Sequence, residues 1–327
     1  MPRHEEQEDI RLEPRLLARV QEKKGKLDLQ RPLSTAITRR LHEDLRIRLT
    51  YHSNAIEGNT LSLRETQVVI EEGITIGGHT LREHLEATNH AMAFDELRRL
   101  VEHSSPITLE TVSRLHTLVL HELHETAGQF RQTQVFIRGS EHRPPPARQV
   151  PELMMQWVCW LEGEGRHYHP VVRAAIAHHG FEAVHPFEDG NGRTGRLLLN
   201  LMLMRDGYPP AMLLREWVLR YYQGLEAAHF GQYTALVHLI GQAVEAGLDF
   251  YLDACAAVPD EQYLSLSELA LKHGYDANYL GLLARQGKLE ARKWDRRWYS
   301  TAAALARYEQ EVAAEPRGRP ARRKQKG

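Results

Sequence analysis

Cysteine is almost missing: the 327 residues contain two, Cys159 and Cys255. Two cysteines cannot build a disulfide framework, and without a CxxC pair there is no zinc signature. Long apolar runs are missing as well. No stretch approaches the ~18 consecutive apolar residues of a membrane span, so no membrane partner is expected. The opening MPRHEEQEDIRLEP is acidic and polar, unlike a signal or transit peptide. These absences predict a reduced, cytoplasmic chain. Net charge is also nearly absent, at −1. Taken alone, that argues against a nucleic-acid binder. The total conceals an asymmetry, however. Residues 285–327 hold 13 Lys/Arg against 5 Asp/Glu, while the preceding 284 residues hold 29 against 38. The chain reads as an acidic body with a basic end. Nineteen histidines are many, but they scatter. His121, Glu122 and His124 form HExH, one residue short of the HExxH that places two ligands on one helical face, so they read as structural or exposed.

Helical periodicity dominates what is present, and the fold class expected is mainly α. Residues 1–32 read as a loosely packed arm. Leu41, Leu45, Leu49 and Ile56 then mark a helix that stops at Gly58-Asn59. Ser62-Leu63-Arg64-Glu65 is a capping box for the next helix, closed by Gly73. Further helices are expected over about 81–100, from Thr108, over 151–162 and 170–184, over 192–206, and on to about 256. Residues 128–151 break the pattern. Thr133 to Ile137 alternate, Gly139-Ser140 make a turn, and Pro144-Pro145-Pro146 follow, which predicts a short exposed hairpin. The domains expected are therefore an arm (1–32), an all-helical body with a hairpin flap (33–258), a small C-terminal domain (259–314) and a basic disordered tail (315–327).

The richest segment is His185-Pro186-Phe187-Glu188-Asp189-Gly190-Asn191-Gly192-Arg193-Thr194-Gly195-Arg196. It lies between two expected helices, so a glycine-rich turn feeds a helix N-terminus. Free N–H groups and the helix dipole favour an anion there. Glycines let the backbone approach phosphate oxygens. Arg193 and Arg196 add forked positive charge. Asp189 is a hard oxygen donor suited to Mg²⁺ bridging phosphates. His185 can act as a base near neutral pH. The set reads as a nucleotide triphosphate, a metal and a base. It is not a Walker A loop, because Gly-Lys-Ser/Thr is missing.

This segment resembles the Fic-domain signature H-x-F-x-[DE]-G-N-G-R-x-x-R at every defining position. The resemblance extends through Arg196-Leu-Leu-Leu-Asn200, Gly207-Tyr-Pro-Pro210 and Tyr221-Tyr222, covering roughly residues 33–250. It implies an all-helical Fic domain and a protein adenylyltransferase, which moves AMP from ATP to a Ser, Thr or Tyr hydroxyl of a target and releases pyrophosphate. His185 would take the proton from the target hydroxyl. Asp189 would hold Mg²⁺. Gly190, Asn191, Gly192, Arg193, Thr194, Gly195 and Arg196 would hold the phosphates. The resemblance assigns Tyr221 to the adenine, with His229 where an asparagine is common. Val135, Phe136, Ile137 and Arg138 would form the flap that pairs with the target backbone. The target can be the chain itself, and a homo-oligomer is compatible.

Ser53-Asn54-Ala55-Ile56-Glu57-Gly58 resembles the inhibitory motif [ST]-x-x-x-E-[GN] of the same family, placed before the catalytic motif. Glu57, with Ser53, would occupy Arg196 and set like charge beside the γ-phosphate. Removal of AMP at the same site, with the carboxylate positioning water, is the alternative within the enzyme class.

The C-terminal segment, Leu266 to Tyr308, resembles the winged helix-turn-helix of excisionase- and MerR-like DNA binders. Asn278, Arg285, Lys288, Arg292, Lys293, Arg296 and Arg297 are its candidate DNA contacts. A Fic-fold regulator acting through DNA is therefore a second functional reading.

Overall fold

In the computed structural model, residues 10–256, 263–294 and 297–314 are described. Helix α1 (Pro14–Leu29) replaces the expected loose arm. Leu12, Leu16, Val20 and Leu27 recur at helical spacing and are all buried. A Cβ at Gly241 would stand 2.6 Å from Leu12 and 2.8 Å from Leu16, so a glycine lets α1 lie close against its neighbour. Periodicity therefore outweighed the polar composition of this segment. Next come α2 (Thr35–Ile56), α3 (Leu63–Glu72), α4 (Leu81–Glu102) and α5 (Leu109–Val119). Ser62, Thr80 and Thr108 each form a full capping box, which fixes where α3, α4 and α5 begin.

The centre is made by α6 (Val150–Glu162), α7 (Pro170–Val184) and α8 (Asn191–Arg205), followed by α9 (Val218–His229) and α10 (Thr234–Ala256). Helix α7 is buried on all sides, from Val171 through Glu182, and α8 is buried from Leu197 through Leu203. A helix buried on every face belongs in the middle of a bundle. The loop between α7 and α8 carries the glycine-rich motif, so the two best-packed helices hold it at both ends. Among the described residues no helix is long and apolar enough to cross a membrane.

The expected hairpin flap is not a paired ladder. Residues 128–146 contain no strand. A turn closes it, with Ser140 N donating to Ile137 O at 3.2 Å, but its legs are joined by side chains: Gln134 Nε2 donates to Pro144 O at 2.9 Å. The physical reason is the run Pro144-Pro145-Pro146, which has no N–H to donate.

The described residues divide into two units, one comprising residues up to 22 and 43–249, the other 23–42 and 250 onward. The second contains β1 (Leu264–Ser265), α11 (Leu266–His273), α12 (Ala277–Arg285), β2 (Arg292–Trp294), β3 (Arg297–Ser300) and α13 (Ala302–Ala314). The strands are antiparallel in the order β1-β3-β2. Leu266, Leu269, Leu280, Leu283, Leu289 and Leu305 form its core. Gly274, at φ 74°, ends α11, and Asp276 caps α12 by accepting from Asn278 N and Tyr279 N. The layout is helix, turn, helix, hairpin, helix.

Candidate active site

The α7–α8 loop is closed by its own side chains. Asn191 accepts from Phe187 N and donates to Phe187 O, both at 2.9 Å. Phe187 is buried and stacked on His116 at 3.6 Å. Gly128 N donates to His116 Nδ1 at 2.8 Å, so the other ring nitrogen carries the proton and donates to Asp189 O at 2.9 Å. His116 thus pins the loop from α5. Burial holds it neutral, with its pKa lowered to about 4. Gly190, at φ 73°, provides the left-handed turn into α8, leaving the Asn191 and Gly192 amides at a helix N-terminus.

His185 is the C-cap of α7, itself in the left-handed region at φ 49°. Burial lowers its pKa to about 4, opposed in part by the Glu182 backbone and, more weakly, by Glu57. The imidazole is therefore neutral at physiological pH, the form a general base requires. Its Nδ1 is buried with no hydrogen-bond partner.

Asp189 faces two arginines. Arg82 Nη2 donates to its Oδ2 at 2.7 Å, and Arg193 stands 3.5 Å from Oδ1. Burial raises the carboxyl's pKa, but Arg193, the Gly190 amide and Arg82 outweigh it and leave the pKa below its ordinary value. An ionised, half-exposed hard donor fits a divalent cation that takes its other ligands from phosphates and water. Arg82 would have to yield the oxygen it holds. No group of three or more His, Cys, Asp or Glu able to hold a metal exists among the described residues, His121, Glu122 and His124 included. His121 and Glu122 are exposed.

Two arginines line the α8 end. Arg193 is 3% exposed and its Nη1 is ion-paired to Glu86 at 3.3 Å, yet its Nε has no hydrogen-bond partner. Arg196 is 4% exposed. It donates from Nη2 to Glu57 Oε1 at 2.7 Å and to Ser53 O at 2.9 Å, and from Nε to Ser53 Oγ at 3.0 Å. Burial alone would lower Arg196, but Glu57 reverses that and its pKa is raised. Its Nη1 has no partner. Buried guanidinium donors without acceptors are costly, and an anion would satisfy them. Thr194 is fully buried behind them, with its hydroxyl unpartnered.

The end of α2 is held in place independently of Glu57. Asn54 Nδ2 donates to Glu86 O at 3.1 Å, Asn59 Nδ2 to Glu83 O at 3.0 Å, and Tyr222 OH to Ile56 O at 3.2 Å. Glu57 also reaches over Gly192, where a Cβ would stand 2.3 Å from its Oε1. Gly195 is similarly crowded: a Cβ there would meet Glu182 Oε1 at 2.2 Å and the Phe181 ring at 3.0 Å.

Two expected nucleotide residues are placed differently. Tyr221 is 1% exposed, with its hydroxyl 2.8 Å from His178 Nε2 and its ring 5.9 Å from Arg196. It cannot offer a face to a base. Tyr222, 47% exposed and bonded to Ile56 O, is the ring available for stacking. Adjacent identical residues on a helix point about 100° apart, and sequence alone did not say which one faced out. His229 is engaged within the protein, 3.0 Å from His179 Nε2 and stacked at 3.8 Å on His142. In the flap, Phe136 and Arg138 are exposed, and Val135 and Ile137 are half-buried, as an alternating extended segment requires.

In the second unit, Asn278, Arg285, Lys288, Lys293 and Arg297 are exposed. Arg292 is not free: it donates to Leu33 O at 2.9 Å and Thr35 Oγ1 at 3.1 Å. Arg296 lies outside the described residues.

The residues that sequence reasoning missed are Arg82, Glu86 and His116, which hold Asp189 and Arg193. None lies in a motif, and each meets its partner across a large sequence separation.

Comparison with known proteins bears on this site. Residues 106–203 match the Fic/DOC family. The protein adenylyltransferase Fic of Drosophila grimshawi is 35% identical over 252 residues, covering 76% of this chain and 52% of its own length. Its Nematostella vectensis namesake is 32% identical over 255 residues, covering 76% and 58%. The chain thus spans about half the length of the curated relatives it matches. Among solved structures, Fic-1 (134–508) from C. elegans is 34% identical with a TM-score of 0.68, covering 74% of this chain and 72% of that one. A Fic family protein from Desulfovibrio desulfuricans G20 is 26% identical with a TM-score of 0.63, covering 89% and 97%.

Proposed function

The chain belongs to the Fic/DOC family, and from that membership and the site geometry we propose that it is an autoinhibited protein adenylyltransferase. The observation that carries the reading is Arg196, a buried guanidinium at the start of α8 that is held by Glu57 at 2.7 Å while its Nη1 has no partner. His185, neutral at working pH, accepts the proton of the target hydroxyl. The oxygen then attacks the α-phosphate of ATP and pyrophosphate leaves. The Asn191 and Gly192 amides at the helix start, with Arg193 and Arg196, hold the phosphates and offset the charge that builds on the leaving group. Asp189 would hold Mg²⁺, which supplies further neutralisation at the phosphates. Tyr222 offers the stacking face for the base. Phe136 and Arg138 stand outward on the flap, where an extended target segment can be laid by strand addition.

Glu57 opposes this by occupying Arg196 and placing negative charge where a γ-phosphate would lie. Its anchoring through Asn54, Asn59 and Tyr222 makes the brake part of the resting fold. A partly buried Arg–carboxylate pair is worth about 1.5–3 kcal/mol, which corresponds to roughly ten- to a hundredfold in rate. The test is mass spectrometry of a lysate incubated with ATP, Mg²⁺ and the Glu57→Gly protein. A mass increase of one AMP on a Ser, Thr or Tyr supports the reading. Transfer of no nucleotide contradicts it. The C-terminal unit is read as a DNA-contacting module, supported by its helix-turn-helix-hairpin layout and its exposed basic residues. Cys159 and Cys255 are free, which supports a reducing, cytoplasmic setting.

A further inference from the structure

Arg131 is 2% exposed, yet no carboxylate among the described residues pairs with it. A buried cation without a counter-ion must be satisfied by dipoles, and the dipoles used here lie on three separate pieces of chain. Arg131 Nε donates to His185 O at 2.8 Å, and Nη2 donates to Val184 O at 3.4 Å. Its own amide donates to Pro186 O at 2.9 Å. Three consecutive carbonyls at the C-terminus of α7 are thereby taken by one residue, where the helix dipole favours positive charge. On its other side, Nη1 donates to Thr133 O at 2.9 Å and Nη2 to Pro145 O at 2.6 Å. Thr133 and Pro145 are the two legs of the flap.

The flap has no ladder of its own, and Pro144-Pro145-Pro146 cannot supply one. The Arg131 guanidinium closes its base instead. The same planar group fixes the peptide of His185, a non-glycine residue in the left-handed region that needs an external hold.

We propose that Arg131 is a positioning residue for the transfer reaction: it joins both flap legs and the His185 backbone in one node, so that a target segment laid on the flap meets the His185 imidazole in register. This rests on the reading of His185 as the base for AMP transfer. It does not concern the phosphates, which the α8 amides and arginines would hold.

The test uses the full chain carrying Glu57→Gly, with and without Arg131→Lys. Lysine keeps the charge but cannot span five donors in a fork. Expected are amide exchange over residues 132–143 at least about tenfold faster, with α8 amides unchanged. A kcat about a hundredfold lower is also expected, the scale of a small misplacement of reacting groups, with KM for ATP unchanged. Unchanged flap exchange, or a rise in KM for ATP at constant kcat, would overturn the proposal. Should Arg131→Lys fail to fold, the Arg131 side-chain N–H signals of the unsubstituted protein decide by NMR: slow exchange supports the node and rapid exchange contradicts it. If Glu57→Gly alone transfers no AMP, the functional reading fails, while the exchange measurements still judge the node.

Discussion

The two units of this chain both concentrate arginines, but they spend them differently. In the first turns of α8 the arginines are buried and underused: Arg193 and Arg196 are 3% and 4% exposed and keep guanidinium donors without partners. In the C-terminal unit the basic side chains are either exposed, as Lys293 and Arg297 are, or used up within the fold, as Arg292 is. A buried donor without an acceptor costs folding free energy, so its persistence points to a ligand that supplies the acceptor. An exposed lysine costs nothing and points nowhere by itself. The near-neutral total charge averaged these cases and described neither.

The comparison can be broken or sharpened by experiment. The largest effect is expected at His185. In the Glu57→Gly background, His185→Ala should lower initial rates of AMP transfer by about 10²–10⁴-fold. Residual transfer within a factor of about ten would remove His185 from the base role.

Next comes the group beneath the arginines. Burial raises the Glu182 carboxyl to about 8. Its folded value lies above the unfolded 4.5, so below pH 4.5 it carries no penalty. Stability is then lost as pH rises from there toward 8, because the unfolded chain releases the proton first. Glu182→Gln should therefore raise the unfolding free energy at pH 8, by about a few kcal/mol, and leave it unchanged near pH 4, as denaturant melts at the two pH values would show. An equal shift at both pH values would show that Glu182 is ionised in the folded protein.

Gly195→Ala brings a Cβ to 2.2 Å from Glu182 Oε1. It should destabilise by about 1–3 kcal/mol in denaturant melts, the usual cost of overpacking a filled interior.

The smallest effect concerns the second unit. If it meets a duplex, Lys293→Ala should reduce the slope of log affinity against log salt by about 1, and Arg292→Ala should not. Equal losses would show that Arg292 leaves Leu33 and Thr35 to reach phosphate. Absence of any shift of duplex DNA by the full chain at low salt would end the DNA reading.

Legibility divided along similar lines. His185, Asp189, the glycines and both α8 arginines lie within twelve consecutive residues, so their chemistry could be read as a string. Glu57 became legible through a short motif whose partner, Arg196, is named by the same resemblance. The capping box at Ser62 joins residues three apart, and local chemistry sets it. What escaped depends on distant parts of the chain. Arg82 reaches Asp189 across 107 positions, and Arg131 reaches His185 across 54. Neither has a periodic or compositional mark. Tyr221 and Tyr222 are identical letters that the packing of α7 and α8 sorts into a buried and an exposed ring. The flap alternates like a hairpin in sequence, but prolines remove the donors that alternation alone does not reveal. The arm at α1 failed for the opposite reason: its charged residues masked an apolar stripe.

The claim on which the rest depends is that Glu57 withholds Arg196 from the nucleotide. Initial rates of AMP transfer from radiolabelled ATP, measured side by side for the unsubstituted and Glu57→Gly proteins at equal Mg²⁺, test it most directly. Release of Arg196 predicts a rise of about ten- to a hundredfold, the rate equivalent of the lost pair. Equal rates would contradict it, because Arg196 would then be free to bind phosphate with Glu57 in place.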